Sequence, residues 1–210
     1  MNAIIFDLDG TLWDVTESTL KSANEIAKKH GLQEISVEAI CKGFGTNREE
    51  SSKLYFPNLP LEESTQLIDE ISTLNINNLM QNGGKVYVNA KETLIELKEK
   101  FDLYIVSNTA KKTYIEAFLK CSKTADLFNG YIAAGYQNLK KHEAIIKTIA
   151  DNNIEKAVYV GDTYRDRDAA KLAGVTFVQA KYGFGEDLNT EYSIDNIVDL
   201  PKIIGKKPLF

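Results

Sequence analysis

Three short apolar runs in this chain each stop abruptly at polar residues, and that pattern restricts the fold more than any other feature. Ala3-Ile4-Ile5-Phe6 ends in Asp7, Leu103-Tyr104-Ile105-Val106 ends in Ser107, and Ala157-Val158-Tyr159-Val160 ends in Gly161-Asp162. A fourth run, Val175 to Val178, follows Gly174. None alternates with polar residues, so neither face of such a strand is suited to water. Strands of this kind belong in parallel sheets covered on both sides. Helical periodicity fills the intervals at about 90–100, 111–120, 141–152 and 165–173. Strands alternating with helices predict right-handed crossovers and a doubly wound, Rossmann-like α/β sheet.

Residues 15–85 break that rhythm. Amphipathic stretches near 16–30, 36–43, 47–56 and 61–81 contain no convincing strand. Asn58-Leu59-Pro60 separates two of them, and Gly83-Gly84 ends the last. The sequence therefore predicts an α/β core formed by residues 1–14 and 86–210, with an all-helical domain, 15–85, inserted after the first strand. Hinges are expected near Leu12 to Val15 and Gly83 to Asn89. A short strand and a helix are expected between about 192 and 204.

Composition narrows the function classes. Of 210 residues, 43% are hydrophobic and 26% charged, which is ordinary for a globular protein with a core. No apolar run approaches the roughly 20 residues that span a bilayer. The start, MNAIIFDLDG, has acids after its apolar run and no basic segment before it, unlike a secretory signal. Cys41 and Cys121 lie outside any metal-ligand spacing and read as reduced thiols of a cytoplasmic protein. A formal net charge of -5 disfavours nucleic acid as a partner, since that binding depends on clustered Lys and Arg. Lys206-Lys207 reads as a solvated pair. An acidic chain that handles phosphate must instead supply positive charge locally.

In open α/β sheets, ligands bind at the carboxyl ends of the strands, near the point where strand order reverses. Parallel neighbours would bring Asp7-Leu8-Asp9-Gly10-Thr11, Ser107-Asn108-Thr109 and Gly161-Asp162-Thr163 to one crevice. Asp7 and Asp9, two apart in extended chain, point to the same side and repel unless a cation intervenes. Magnesium suits such a pair, being a hard cation held by one or two carboxylates and phosphate oxygens. A calcium loop is excluded, because Ser18 stands where its terminal Glu would be. Ser107 and Asn108 read either as an anion site or as a helix cap at the start of the next helix. Lys140-Lys141 open a helix, where positive charge opposes the macrodipole unless an anion compensates; a solvated surface pair is the alternative. Asp162 and Asp166, four apart at a helix start, can face one side, with Asp162 completing a metal site and Asp166 orienting it or Lys141. Asp168 reads as a surface acid.

With these motifs in place, the chain resembles the haloacid dehalogenase (HAD) superfamily, in its phosphoglycolate-phosphatase-like group with a helical cap. The resemblance rests on D-x-D-G-T at Asp7 to Thr11 and on Gly161 to Asp166 followed by Asp168 to Gly174. It implies a magnesium-dependent phosphatase acting through an aspartyl-phosphate. Asp7 would be the nucleophile and Asp9 the acid and then the base. Magnesium would sit on the Asp7 carboxylate, the Asp9 carbonyl and Asp162, with Asp166 nearby. Thr11, Ser107, Asn108 and Lys141 would serve the phosphoryl group. Lys141-His142-Glu143 resembles the Lys-Gly-Glu of that group; its common Lys-Pro is absent, which keeps Lys140 as the alternative. Retention of an acid at Asp9 resembles phosphatases and phosphomutases rather than dehalogenases. The implied substrate is a small phosphorylated metabolite, and the implied assembly a monomer or homodimer.

From Gly43-Phe44-Gly45-Thr46-Asn47-Arg48, Arg48 is the candidate for reaching a substrate anion; the alternative is a surface arginine. A sugar phosphomutase, a nucleotidase or pyrophosphatase, and a phosphoryl-accepting signalling domain are further readings. The chain has no G-x-x-x-x-G-K-[ST], H-E-x-x-H or G-x-S-x-G pattern, and its two histidines are too separated for a metal site. Trp13 and Asp14 read as packing or capping residues.

Overall fold

The computed structural model describes residues 2–205, so Lys206-Lys207 lie outside the described residues. Six parallel strands form the main sheet: β1 (Asn2–Phe6), β4 (Asp102–Ser107), β5 (Gly130–Ala133), β6 (Lys156–Gly161), β7 (Thr176–Ala180) and β8 (Ser193–Ile194). Their spatial order is β5-β4-β1-β6-β7-β8. The first strand is central, with Phe6 beside Ile105 on one side and Val160 on the other. Chain order reverses across β1, so the crevice above its carboxyl end is the switch point.

The apolar runs are unbroken because both faces are covered. One face carries Ile4, Phe6, Leu103, Ile105, Val158 and Val160. Helices α5 (Ala90–Lys98), α6 (Lys112–Ser122) and α9 (Leu200–Ile204) pack there through Leu94, Phe118 and Leu200. Ala3, Ile5, Tyr104, Val106 and Tyr159 point the opposite way, onto α7 (Lys141–Asp151) and α8 (Tyr164–Ala173) through Ile145 and Ala170. Period-two alternation thus divides each run between two cores.

Four helices occupy the interval after the first strand: α1 (Thr16–Lys29), α2 (Val37–Gly43), α3 (Arg48–Tyr55) and α4 (Leu61–Asn82). Ser36 Oγ accepts from Ala39 N at 3.1 Å and Asn47 Oδ1 from Glu50 N at 2.9 Å, so both starts carry side-chain caps. Ala23, Ile26, Ile40, Phe56, Leu67 and Ile71 give these helices a separate apolar cluster. Their two connections to the sheet pair with each other. β2 (Trp13–Asp14) and β3 (Lys85–Val86) form a two-residue antiparallel ladder, Trp13 opposite Val86. The expected hinges are therefore one paired structure. Among the described residues no helix is long and apolar enough to cross a membrane.

Candidate active site

Asp7 lies just beyond β1, its N–H donating to Val160 O at 2.8 Å. The fixed backbone aims a buried carboxylate into the crevice between β1 and β6. Lys141, the first residue of α7, reaches it from the side: Nζ donates to Asp7 Oδ1 at 2.8 Å and to Asp166 Oδ1 at 2.6 Å. These carboxylates supply the anion that a lysine at a helix start requires. Lys140 caps the same helix from an exposed position, its backbone N–H donating to Glu143 Oε2 at 2.7 Å. Asp166 is held in turn by Thr163 N at 3.0 Å and Thr163 Oγ1 at 2.7 Å, all on the first turn of α8. It therefore orients Lys141, as a buried charge must be both paired and hydrogen-bonded.

Asp162 sits at the end of β6, fully buried. Its Oδ2 accepts from Phe184 N at 2.7 Å, while among the described residues no donor reaches its Oδ1. Gly10 turns the chain here at φ +77°, and a Cβ on it would collide with the Asp162 carboxylate, so only glycine satisfies both the backbone and the space. Ligand oxygens of Asp7, Asp162 and Asp166 all lie within 4.8 Å of one another. An all-oxygen donor set with one orphaned buried carboxylate oxygen fits a magnesium ion.

Burial dominates the electrostatics. It pushes the Asp7 carboxyl well above its usual range, with the Lys141 ammonium only partly offsetting it. Lys141 is buried too, but Asp166 and Asp7 outweigh that cost and hold its ammonium charged. Asp162 is pushed up to about 7, first by burial and then by the charge of Asp166, against the Phe184 hydrogen bond. A carboxyl with a raised native pKa binds a proton that the unfolded chain releases, so stability falls as pH rises from about 4 through about 7. Asp162 alone should cost the metal-free protein roughly 1 kcal/mol per pH unit across that window. Asp162→Asn should flatten the slope, and saturating magnesium should reverse it because ligation requires the charged carboxylate. Thermal melts at several pH values, with and without magnesium, check this; a slope identical in Asp162→Asn would refute it.

Asp9 faces the same cavity as Asp7 but is held differently. Its Oδ1 accepts from Trp13 Nε1 at 3.0 Å and from Tyr114 OH at 2.6 Å. Burial pushes its carboxyl up, and those two hydrogen bonds pull against the shift. Trp13 thus packs, as expected, and also fixes Asp9. Ser107 closes β4 with Oγ accepting from Thr109 N at 3.3 Å. It does not cap a helix: α6 begins only at Lys112, because residues 108–111 form a loop that first crosses the crevice. That loop leaves Ser107 and Asn108 on the cavity, with Asn108 Nδ2 donating to Gly45 O of the helical segment at 2.9 Å. Thr11 is fully buried below the first turn, away from the cavity lining, and its carbonyl accepts from Tyr182 OH at 2.8 Å.

A cavity of about 190 Å³ joins the strand ends to the helices, lined by Asp7, Asp9, Ser107, Asn108 and Lys141 below and by Arg48, Tyr55, Asp69 and Asn75 above. Arg48 is not free: Nε donates to Asp69 Oδ1 at 2.8 Å and NH2 to Asp69 Oδ2 at 2.5 Å. Sequence reasoning missed Tyr114, Asp69 and Phe184. Only the last left a local signal, since Gly183-Phe184-Gly185 follows β7 as Gly10 follows β1. The Phe184 ring stacks on Phe44 of the helical segment, centroids 4.4 Å apart at 21°.

The chain is similar to a phosphoglycolate phosphatase of Mannheimia succiniciproducens, 28% identical with 95% of this chain and 96% of that protein covered. It is similar also to the pyrophosphatase PpaX of Bacillus cereus, 24% identical with 97% and 96% covered. In fold it matches the crystal structure of a predicted phosphoglycolate phosphatase from Haemophilus somnus, with TM-score 0.84, 24% identity and 96% and 97% of the two chains covered. The family model for haloacid dehalogenase-like hydrolases matches residues 4–180, and the chain belongs to that family.

Proposed function

We propose that this hydrolase transfers the phosphoryl group of a small phosphorylated metabolite to Asp7 and then to water. The chain is a HAD-type phosphatase, a phosphoric monoester hydrolase. The observation that carries the mechanism is the placement of Lys141 Nζ 2.8 Å from Asp7 in a cavity that Ser107 and Asn108 also line. Asp7 Oδ attacks phosphorus and its bond to phosphorus forms as the ester P–O bond breaks. Asp9 gives a proton to the departing oxygen, then takes one from the water that cleaves the aspartyl-phosphate; a carboxyl raised by burial suits both duties. Ser107 Oγ, the Asn108 amide and Lys141 hold the equatorial oxygens of the transferring group. Magnesium, held by the Asp7 and Asp162 carboxylates and the Asp9 carbonyl with Asp166 behind them, would neutralise charge on the phosphoryl oxygens. Thr11 supports the loop from below.

Residues 15–85 act as a cap over the core formed by 1–14 and 86–210, closing over the cavity about the β2–β3 pair. Arg48 is the cap residue that meets the part of the substrate remote from phosphorus. The relatives' names, phosphoglycolate phosphatase and pyrophosphatase, support a small phosphorylated substrate. The first of these names supports a phosphomonoester, and phosphoglycolate belongs in the panel as the monoester whose remainder is a carboxylate. The protein works as a monomer or homodimer. Phosphate release from a panel of monoesters and pyrophosphate, with and without magnesium, tests this reading. Magnesium-dependent release from one class of monoester is the expected result; isomerisation of a sugar phosphate without release would replace hydrolase by mutase. Arg48→Ala should raise KM for the preferred compound about tenfold more than for p-nitrophenyl phosphate. Equal changes in both would remove Arg48 from recognition.

A further inference from the structure

Arg48 and Asp69 are the two charged side chains that the cap helices contribute to the cavity lining, and they are bound to each other. Asp69 takes the Nε–NH2 edge of the guanidinium, the edge that pairs best with a carboxylate. The rest of that wall is uncharged, with hydroxyls and amides at Thr46, Ser51, Ser72 and Asn75 beside the apolar Phe44, Ile68 and Ile71. Among the described residues lining this cavity, Lys111, from the loop after β4, is a further cation, and its Nζ donates to Thr73 Oγ1 at 2.6 Å, one turn beyond Asp69. Below, Lys141 is already committed to Asp7 and Asp166.

Resting on the phosphatase reading above, we propose that Asp69 is the specificity-determining residue of the cap. By occupying Arg48, it adapts this wall to a phosphomonoester whose remainder is an uncharged polyol or sugar, and turns away one whose remainder carries a carboxylate. The free NH1 edge of Arg48 and the Asp69 carboxylate offer a donor and an acceptor side by side, the pairing that adjacent hydroxyls satisfy. A substrate carboxylate brought to Arg48 would lie beside the Asp69 charge and be repelled at short range.

The test compares two esters that differ only in a carboxylate, glycerol 3-phosphate and 3-phosphoglycerate, in wild type and Asp69→Asn, with magnesium. Wild type is expected to favour glycerol 3-phosphate in kcat/KM by about tenfold or more, and Asp69→Asn to shrink or invert that ratio by about tenfold. A wild-type preference for 3-phosphoglycerate, or a ratio unchanged in Asp69→Asn, overturns the inference. A melting curve shows whether the variant is folded; Asp69→Ser repeats the comparison if it is not. Wild type that hydrolyses p-nitrophenyl phosphate but neither ester sinks this inference and leaves the phosphatase reading standing. Wild type inactive even on p-nitrophenyl phosphate sinks both.

Discussion

Asp7→Asn should abolish turnover, with kcat falling by about 10³-fold or more, while the protein stays folded. The amide cannot displace the ester oxygen at phosphorus, yet it matches the carboxylate in size. Asp7 is buried and its charge is disfavoured there despite Lys141, so the neutral amide should leave the metal-free thermal midpoint unchanged or slightly higher. Lys141 should keep Asp166, which its Nζ meets at 2.6 Å here, as its partner in the variant. Phosphate release and a melt on the same sample separate the two effects. Activity within tenfold of wild type would remove Asp7 from the chemistry, and a large loss of stability would mean that Asp7 is structural.

Lys141→Met should have the second largest effect, and on both readouts. Methionine keeps most of the aliphatic stem but removes the ammonium that stands between Asp7 and Asp166. Leaving two buried carboxylates without their cation costs about 3–5 kcal/mol. Asp7, already pushed up by burial, then loses the cation that opposed the shift, so the loss should grow as pH rises and shrink as it falls. Magnesium should recover part of it by returning positive charge to Asp7. Turnover should fall by about 10²-fold or more because the transferring phosphoryl group loses a charged donor. Urea melts at pH 5 and pH 8, with and without magnesium, give the first result. A loss relative to wild type of the same size at both values would show that Lys141 does not neutralise the pair.

Much of this arrangement was legible in the sequence for one physical reason. A strand buried on both faces has no freedom to place polar groups except at its end, so Asp7, Ser107 and Asp162 announce themselves where the apolar runs stop. Asp166 and Lys141 were legible because helix geometry ties them to the first turns of α8 and α7. The strand β5 was passed over: its apolar run, Tyr131 to Ala134, is short, lies between Gly130 and Gly135 and stops at no polar residue, so it lacks the signature of the other three. The β2–β3 pair is two residues a side and depends on a partner about 70 positions away, which no local pattern reports. Side chains that act through long-range contacts were equally silent. Tyr114 meets Asp9 across 105 positions, and Arg48 meets Asp69 between two cap helices whose relative placement is fixed by packing. Of the two readings of Ser107, the helix cap failed because the loop 108–111 precedes α6. Functional loops of this kind carry few constraints that sequence periodicity can reveal.

The most direct test of the covalent account is to mix the enzyme with magnesium and an excess of its preferred ester, quench in acid within milliseconds, and map the phosphoryl group by peptide mass analysis. The account predicts one added phosphoryl group on the peptide that begins the chain, located at Asp7 and absent in Asp7→Asn. Steady turnover with no modified Asp7, together with inversion at a chiral phosphorus, would instead show direct attack by water and contradict it.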